Sequence, residues 1–214
     1  MVRFISFEGG DGTGKSTQLK ILDGHLRKYG RECVATREPG GTSLGHFIRQ
    51  VLLDVGDQSI ASPTELFLYL ADRAQHVSEV IAPAIASGKI VLCDRYTDST
   101  LAYQGYGRGI DLNLLRRLNE VANRGTYPDL TLLFDCPVEV GLSRTSLRNK
   151  ENRGGKHVED RFERERVEFH ERVRQGFLKL AQAEPERFRV VNASGAVSEV
   201  RRAVQDIIHR ELNL

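Results

Sequence analysis

No apolar run in this sequence approaches the roughly 20 residues that span a bilayer, and the opening MVRFISFEGG lacks the charged start and long apolar stretch of a signal peptide. A cytoplasmic protein is expected. Cysteine is scarce, and Cys33, Cys93 and Cys136 lie far apart with no CxxC spacing, which argues against a zinc site or a disulfide framework. Cys93 and Cys136 close apolar runs, so all three read as reduced core residues. Proline and glycine, six and 20 of 214 residues, are too sparse for a disordered or collagen-like chain. Charge of one sign is missing too: 31 basic residues nearly cancel 29 acidic ones, leaving no basic stripe for a nucleic-acid duplex. No repeat, linker or low-complexity tract divides the chain, so a single domain over 1–214 is expected.

Short apolar runs typical of buried parallel strands recur at Phe4–Phe7, Cys33–Thr36, Ile90–Cys93, Leu130–Phe134 and Phe188–Val191. Helix-length amphipathic segments separate them, and that alternation predicts an α/β fold around a parallel sheet. The helix opening near Pro63 carries Ser62 as a candidate N-cap, Glu65 to complete a capping box and Gly88 as its stop, with Pro83 positioned to kink the last turns. On that helix Tyr69, Asp72, Arg73 and His76 share one face, while Leu66, Leu70, Ala74, Val77 and Ile81 take the other. The polar face is expected to look into a cleft. From Arg144 to Arg174 both charges crowd together, and the central NKENRGGKHVED has no apolar period, so a mobile excursion between two helices is expected.

Directly after the first strand stands GGDGTGKST, residues 9–17, with Gly9, Gly14, Lys15 and Ser16 at GxxxxGKS spacing and a helical run following. Glycines there let successive backbone N–H groups turn inward onto phosphate oxygens, and the helix N-terminus adds partial positive charge. Lys15 is the expected partner of the β- and γ-phosphates. Ser16 offers its hydroxyl to Mg²⁺, and Thr17 lies by the α-phosphate. A switch GTPase shares such a loop, but NKxD is absent and the only DxxG lies inside the loop itself. Two readings remain from the residues alone: a nucleotide phosphotransferase or a regulatory nucleotide-binding module.

The third strand runs into CDRYTDSTLAYQGYGRG, which puts Asp94 and Arg95 at the C-terminal sheet edge, where ligands bind in open α/β folds. Asp94 is sited to hold Mg²⁺ or its waters, and Arg95 to bridge two phosphates with its fork of donors. A second strand end carries TREPGGT, where Arg37 faces the same edge and Pro39 forces Glu38 extended. Two arginines at neighbouring strand ends imply a second anion, an acceptor phosphate.

In chain order, FEGGDGTGKST, TREPGGT, ADRAQHV at 71–77, DRYTDSTLAYQG at 94–105, PDLTLLFD at 128–135 and DRFERERVEFHERVR at 160–174 resemble the thymidylate kinase family. The resemblance spans nearly the whole chain. It implies a P-loop NTPase fold with a five-stranded parallel sheet flanked by helices, a mobile lid over about 144–161 and a homodimer. It also implies transfer of the ATP γ-phosphate to dTMP with Mg²⁺. The ATP cradle is then Gly9, Gly10, Asp11, Gly12, Thr13, Gly14, Lys15, Ser16 and Thr17, with Asp11 near the acceptor sugar or the metal. Tyr69 matches the aromatic stacked on thymine and Arg73 the base contact, while Tyr103 and Gln104 match sugar and base contacts, and Ser99 joins the substrate-binding set. Arg49 corresponds to a further phosphate-contacting arginine. In one branch of the family an arginine follows the loop's acidic residue, but here Asp11 is followed by Gly12. The resemblance therefore implies a catalytic arginine from the lid, Arg148 or Arg153 rather than Arg144 or Arg161 at its edges. His46, where relatives commonly carry Glu, and a lengthened stretch before Asp160 are the departures. The acceptor phosphate is already a nucleophile, so no general base is expected.

Overall fold

The computed structural model describes residues 2–53, 60–151, 162 and 165–214, with backbone alone for 149–151. Strand β1 (Phe4–Glu8) leads into α1 (Lys15–Lys28), followed by β2 (Cys33–Arg37), α2 (Ser43–Leu53), α3 (Ser62–His76), α4 (Ala82–Ala86) and β3 (Ile90–Asp94). Then come α5 (Thr97–Thr100), α6 (Leu112–Asn123), β4 (Leu130–Asp135), α7 (Val138–Glu151), α8 (Val167–Ala183), β5 (Phe188–Asn192) and α9 (Val197–Leu212). The five strands form one parallel sheet in the order β2-β3-β1-β4-β5. Each expected strand is present and runs one residue further at its C-terminal end, and those added residues are Glu8, Arg37, Asp94, Asp135 and Asn192. The apolar run thus ends where the strand meets the ligand edge, and a polar residue takes the last ladder position.

Two apolar layers clamp the sheet. On one face α1 and α9 bury Leu19, Leu22, Leu26, Val200, Val204 and Ile208 against Ile5, Phe7, Leu132 and Phe134. On the other, α3, α6 and α8 close over Leu133 with Leu66, Leu70, Leu115, Phe169, Val173 and Phe177. Cys33, Cys93 and Cys136 are free and buried, as their apolar settings led one to expect.

Pro83 acts earlier than a simple kink. The turn before it, Val77–Ile81, widens to π geometry, which accommodates a ring that has no N–H to give and crowds the preceding turn. A second π segment, Leu101–Gly107, carries Tyr103 and Gln104. The capping box at Ser62 does not form: the N-cap is Ala61, without a side-chain cap bond, and Ser62 is already helical. Glu65 is instead buried, accepting from Gln104 Nε2 at 2.8 Å and pairing with Arg108 at 3.4 Å. A tertiary partner with two donors outcompetes a local cap worth roughly 1 kcal/mol.

Two helices flank the charged stretch from Arg144, whose central NKENRGGKHVED lies largely outside the described residues. Helix α7 continues through Arg148 to Glu151, and α8 resumes at Val167. Arg153 and Arg161 lie outside the described residues, as does the centre of the expected lid.

Candidate active site

The phosphate loop is set by two close backbone approaches. Gly9 has φ +135°, and a Cβ there would stand 2.3 Å from the Phe134 carbonyl oxygen on β4. Gly12, at φ +72°, faces the Gly141 carbonyl of α7, where a Cβ would fall 2.0 Å away. In return, a Cβ on Gly141 would meet the Asp11 carbonyl at 2.3 Å. The tip of the loop therefore rests directly on the backbone of the helix that leads toward the expected lid. Gly12 is fixed by contact with α7 as well as by its dihedral.

Lys15 folds back onto the loop, its Nζ donating to the carbonyls of Gly9 at 3.1 Å and Gly10 at 2.6 Å and to Thr13 Oγ1 at 3.3 Å. Burial, aided by Arg95, pushes the ammonium down to about 8, against the pull of Asp94, Asp11 and Glu8. An arriving phosphate reverses that balance by placing negative charge beside it. Ser16, exposed at the start of α1, donates its hydroxyl to Asp94 Oδ2. A hydroxyl and a carboxylate oxygen side by side at the loop's mouth are the hard donors a small divalent cation takes, so the pair fits Mg²⁺.

Arg95 joins the phosphate loop to the segment after β3. Its backbone is in the left-handed region at φ +71°, uncommon for a residue with a side chain. Nη1 donates to Gly9 O at 3.0 Å and Ser99 Oγ at 3.2 Å, and Nη2 to Asp11 Oδ1 at 2.5 Å and the Tyr103 hydroxyl at 3.0 Å. The guanidinium also lies over the Tyr103 ring, 4.9 Å from its centre. Tyr103 donates its hydroxyl to Asp11 Oδ2 at 3.1 Å, closing a three-membered cluster. Burial acts to raise the Asp11 carboxyl, but Arg95, then Lys15 and His170, more than offset it and hold it below its ordinary value. Desolvation pushes the Tyr103 phenol well up, so it stays a neutral donor.

The TREPGGT loop after β2 is docked on α3 by a second, largely buried network. Glu38 accepts from Arg73 Nε at 2.8 Å and shares a bond of 2.9 Å with His76 Nδ1, whose Nε2 meets Thr36 Oγ1 at 2.7 Å. Arg73 Nη1 donates onward to Thr100 and Asn119. Asp72 Oδ1 accepts the Gly40 N–H at 3.0 Å. Its carboxyl is pushed up to about 6, first by burial and then by Glu38. The polar face of α3 therefore does not open onto a cleft as its periodicity suggested: Asp72, Arg73 and His76 are buried beneath Glu38 and the glycines of TREPGGT. Of that face, Tyr69 alone remains half-buried. Arg49 reaches back from α2 to donate to Pro39 O at 3.0 Å, while Arg37 is exposed at the edge of β2.

The structure thus gathers Gly9–Thr17, Asp94, Arg95, Ser99 and Tyr103 around one end of the sheet. Gln104 points instead to Glu65, and Arg144 is spent on the carbonyls of Ala193, Ser194 and Gly195, where it ties α7 to the turn before α9. Sequence reasoning missed three contributors. Glu8 accepts the Tyr96 N–H at 2.7 Å and the Ser99 hydroxyl at 2.6 Å. Asp98 is pinned by both Arg187 amino groups at 2.7 and 2.9 Å. His170 is buried on α8, its Nε2 without a hydrogen-bond partner among the described residues. Glu8 had a visible signal, a carboxylate closing an otherwise apolar strand. The other two sit in segments that read as ordinary helix or loop.

A family model described as thymidylate kinase matches residues 7–204. The chain belongs to the thymidylate kinase family. A thymidylate kinase from Desulfovibrio desulfuricans is 52% identical over 211 residues, covering 97% of each chain. One from Geobacter sulfurreducens is 52% identical over 205 residues, covering 96% of this chain and 95% of its own. Among solved structures, the thymidylate kinase from Ehrlichia chaffeensis superposes with a TM-score of 0.77 at 35% identity, over 97% of this chain and 98% of that one. The five-stranded parallel sheet flanked by helices is that family's P-loop fold, and this thymidylate kinase family member is an ATP-dependent kinase by that kinship.

Proposed function

We propose that this chain transfers the γ-phosphoryl group of ATP to the phosphate of dTMP, giving ADP and dTDP for nucleotide biosynthesis. The observation that carries this reading is Arg95, held between Gly9 and Asp11 of the phosphate loop and Tyr103 of the segment after β3. A guanidinium at that seam can bond two phosphates at once and hold them in line, which is most of what phosphoryl transfer asks of a protein.

In this reading Gly9–Thr17 cradle ATP, and Lys15 leaves its loop carbonyls for the β- and γ-phosphates. Ser16 and Asp94 hold Mg²⁺, which supplies charge neutralisation between the phosphates. Arg37 and Arg49 meet the dTMP phosphate, Tyr69 stacks on the base, and Arg73 offers it the nitrogen that Glu38, Thr100 and Asn119 do not engage. Tyr103 lies under the sugar with Ser99 and Gln104 behind it. Residues of about 144–161, one part of a single domain, close as a lid and bring Arg148 or Arg153 to the transferring group. Leu44, Phe47 and Val51 on α2 and Phe67 on α3 are exposed apolar side chains, and a second copy of the chain covering them gives a homodimer. No helix among the described residues is long and apolar enough to cross a membrane. The near-balance of 31 basic and 29 acidic residues supports an enzyme without a nucleic-acid partner.

The decisive experiment compares ADP production from ATP and Mg²⁺ with dTMP, dUMP, dCMP and AMP. Turnover highest with dTMP is expected. Preference for another monophosphate assigns a different acceptor, and ADP formation indifferent to all four sinks the reading.

A further inference from the structure

Arg95 holds a backbone conformation that is sterically disfavoured for any residue with a Cβ, so something around it must fix the turn. Its own side-chain partners are all in the site and will change when phosphates arrive. The turn's remaining anchors are in the core. Arg95 N donates to Phe7 O on β1 at 3.0 Å, and the next residue along β1 is Glu8. The Glu8 carboxylate takes the Tyr96 N–H on one oxygen and the Ser99 hydroxyl on the other. Ser99 Oγ, having donated inward to Glu8, accepts outward from Arg95 Nη1. A relay therefore runs from a carboxylate with no solvent exposure, through one hydroxyl, to the guanidinium. No ion pair of Glu8 occurs among the described residues, and its two side-chain hydrogen bonds both go to this turn.

We infer that Glu8 is a positioning residue for Arg95: it clamps the 95–99 turn and orients the Ser99 hydroxyl so that the guanidinium is aimed before substrates bind. The inference rests on the assignment of Arg95 to the phosphates. Glu8 touches neither nucleotide. Its hydrogen bonds reach the site through Ser99 and Arg95 while its charge also acts on Lys15, so the cycle against Arg95 isolates the part that runs through the guanidinium and separates it from mere support of the fold.

The test is a double-mutant cycle on Glu8→Ala and Arg95→Ala, read as dTMP affinity and as kcat, with Glu8→Gln and Ser99→Ala alongside. In the wild-type background Glu8→Ala should weaken dTMP binding and lower kcat, each by about tenfold or more, with KM for ATP within about twofold. In the Arg95→Ala background the same change should alter dTMP affinity by less than about threefold, because the group it aims is gone. Glu8→Gln keeps an acceptor for Tyr96 N–H and a polar group for Ser99, so it should recover most of the loss. Should Glu8→Ala fail to fold, Ser99→Ala carries the same cycle without emptying the core. Additive effects in the two backgrounds overturn the inference, as does a Glu8→Ala protein that loses thermal stability but keeps dTMP affinity and kcat within about threefold. Failure of the underlying functional reading appears elsewhere, in a wild-type chain that makes no ADP with dTMP.

Discussion

Glu8 also makes a sharp prediction about pH, independent of catalysis. Its carboxyl, fully buried, is pushed from an ordinary 4.5 up to about 7, first by burial and then by the charge of Asp98, with the Ser99 and Tyr96 bonds and Arg95 pulling the other way. Between those two values the folded chain holds a proton that the unfolded chain has released, so stability falls as pH rises through the window. The contribution is complete below about 4.5 and gone above about 7. A shift of that size at about 1.4 kcal/mol per unit is worth on the order of 3 kcal/mol. The assay is urea unfolding of the wild type and Glu8→Gln from about pH 5 to about pH 8, taking the difference between the two at each pH so that all other carboxylates cancel. Wild type should lose about 3 kcal/mol relative to Glu8→Gln across the range, or roughly 6–12 °C in Tm for a chain of this size. The direction is opposite to that of a salt-bridged surface carboxylate. A difference constant to within about 1 kcal/mol refutes the argument that Glu8 is desolvated without a direct counter-ion.

Lys15→Ala should leave far-UV circular dichroism and Tm near wild type while lowering kcat by roughly 10²-fold or more, since a charge facing the transferring phosphate is lost; near-normal turnover would remove Lys15 from the reading. Tyr103→Ala should raise kcat/KM for a ribonucleotide relative to dTMP, because the ring excludes the 2′-hydroxyl. Tyr103→Phe should keep that discrimination yet lower kcat, because the lost hydroxyl bonds both Arg95 and Asp11; an unchanged ratio for the Ala variant counts against the steric argument. Of Arg144, Arg148, Arg153 and Arg161 changed singly to Ala, one of the middle pair should lower kcat with little change in ATP affinity, and the idea of a lid arginine fails if all four stay within about threefold of wild type.

The parts of the molecule that could be read ahead were those governed by local rules. Five apolar runs gave five parallel strands because a strand buried on both faces has little else it can be. The phosphate loop was legible because its glycines answer to dihedral and contact demands within a few residues. What escaped were partners far apart in the chain. The polar face of α3 looked open because nothing nearby closes it, yet Glu38, more than thirty residues upstream of Arg73 and His76, fills it. Glu65 looked like a capping residue until Gln104 and Arg108 claimed it. Glu8 was passed over as part of a motif, although from the last position of a buried strand it sets the geometry of an arginine 87 positions later. Arg153 and Arg161 fall outside the described residues, so the identity of the lid arginine rests on the alanine series.

The contact between Gly12 and Gly141 bears on how such enzymes diverge. Because a Cβ at either position would overlap the other's backbone neighbourhood, with separations of 2.0 and 2.3 Å, a chain of this type cannot acquire a loop arginine after Asp11 by one substitution. Helix α7 must first move away from the loop. Arg144 and Arg148 ride on that helix, so such a movement carries them with it. What can stand after Asp11 is therefore decided by the position of α7 as much as by the codon.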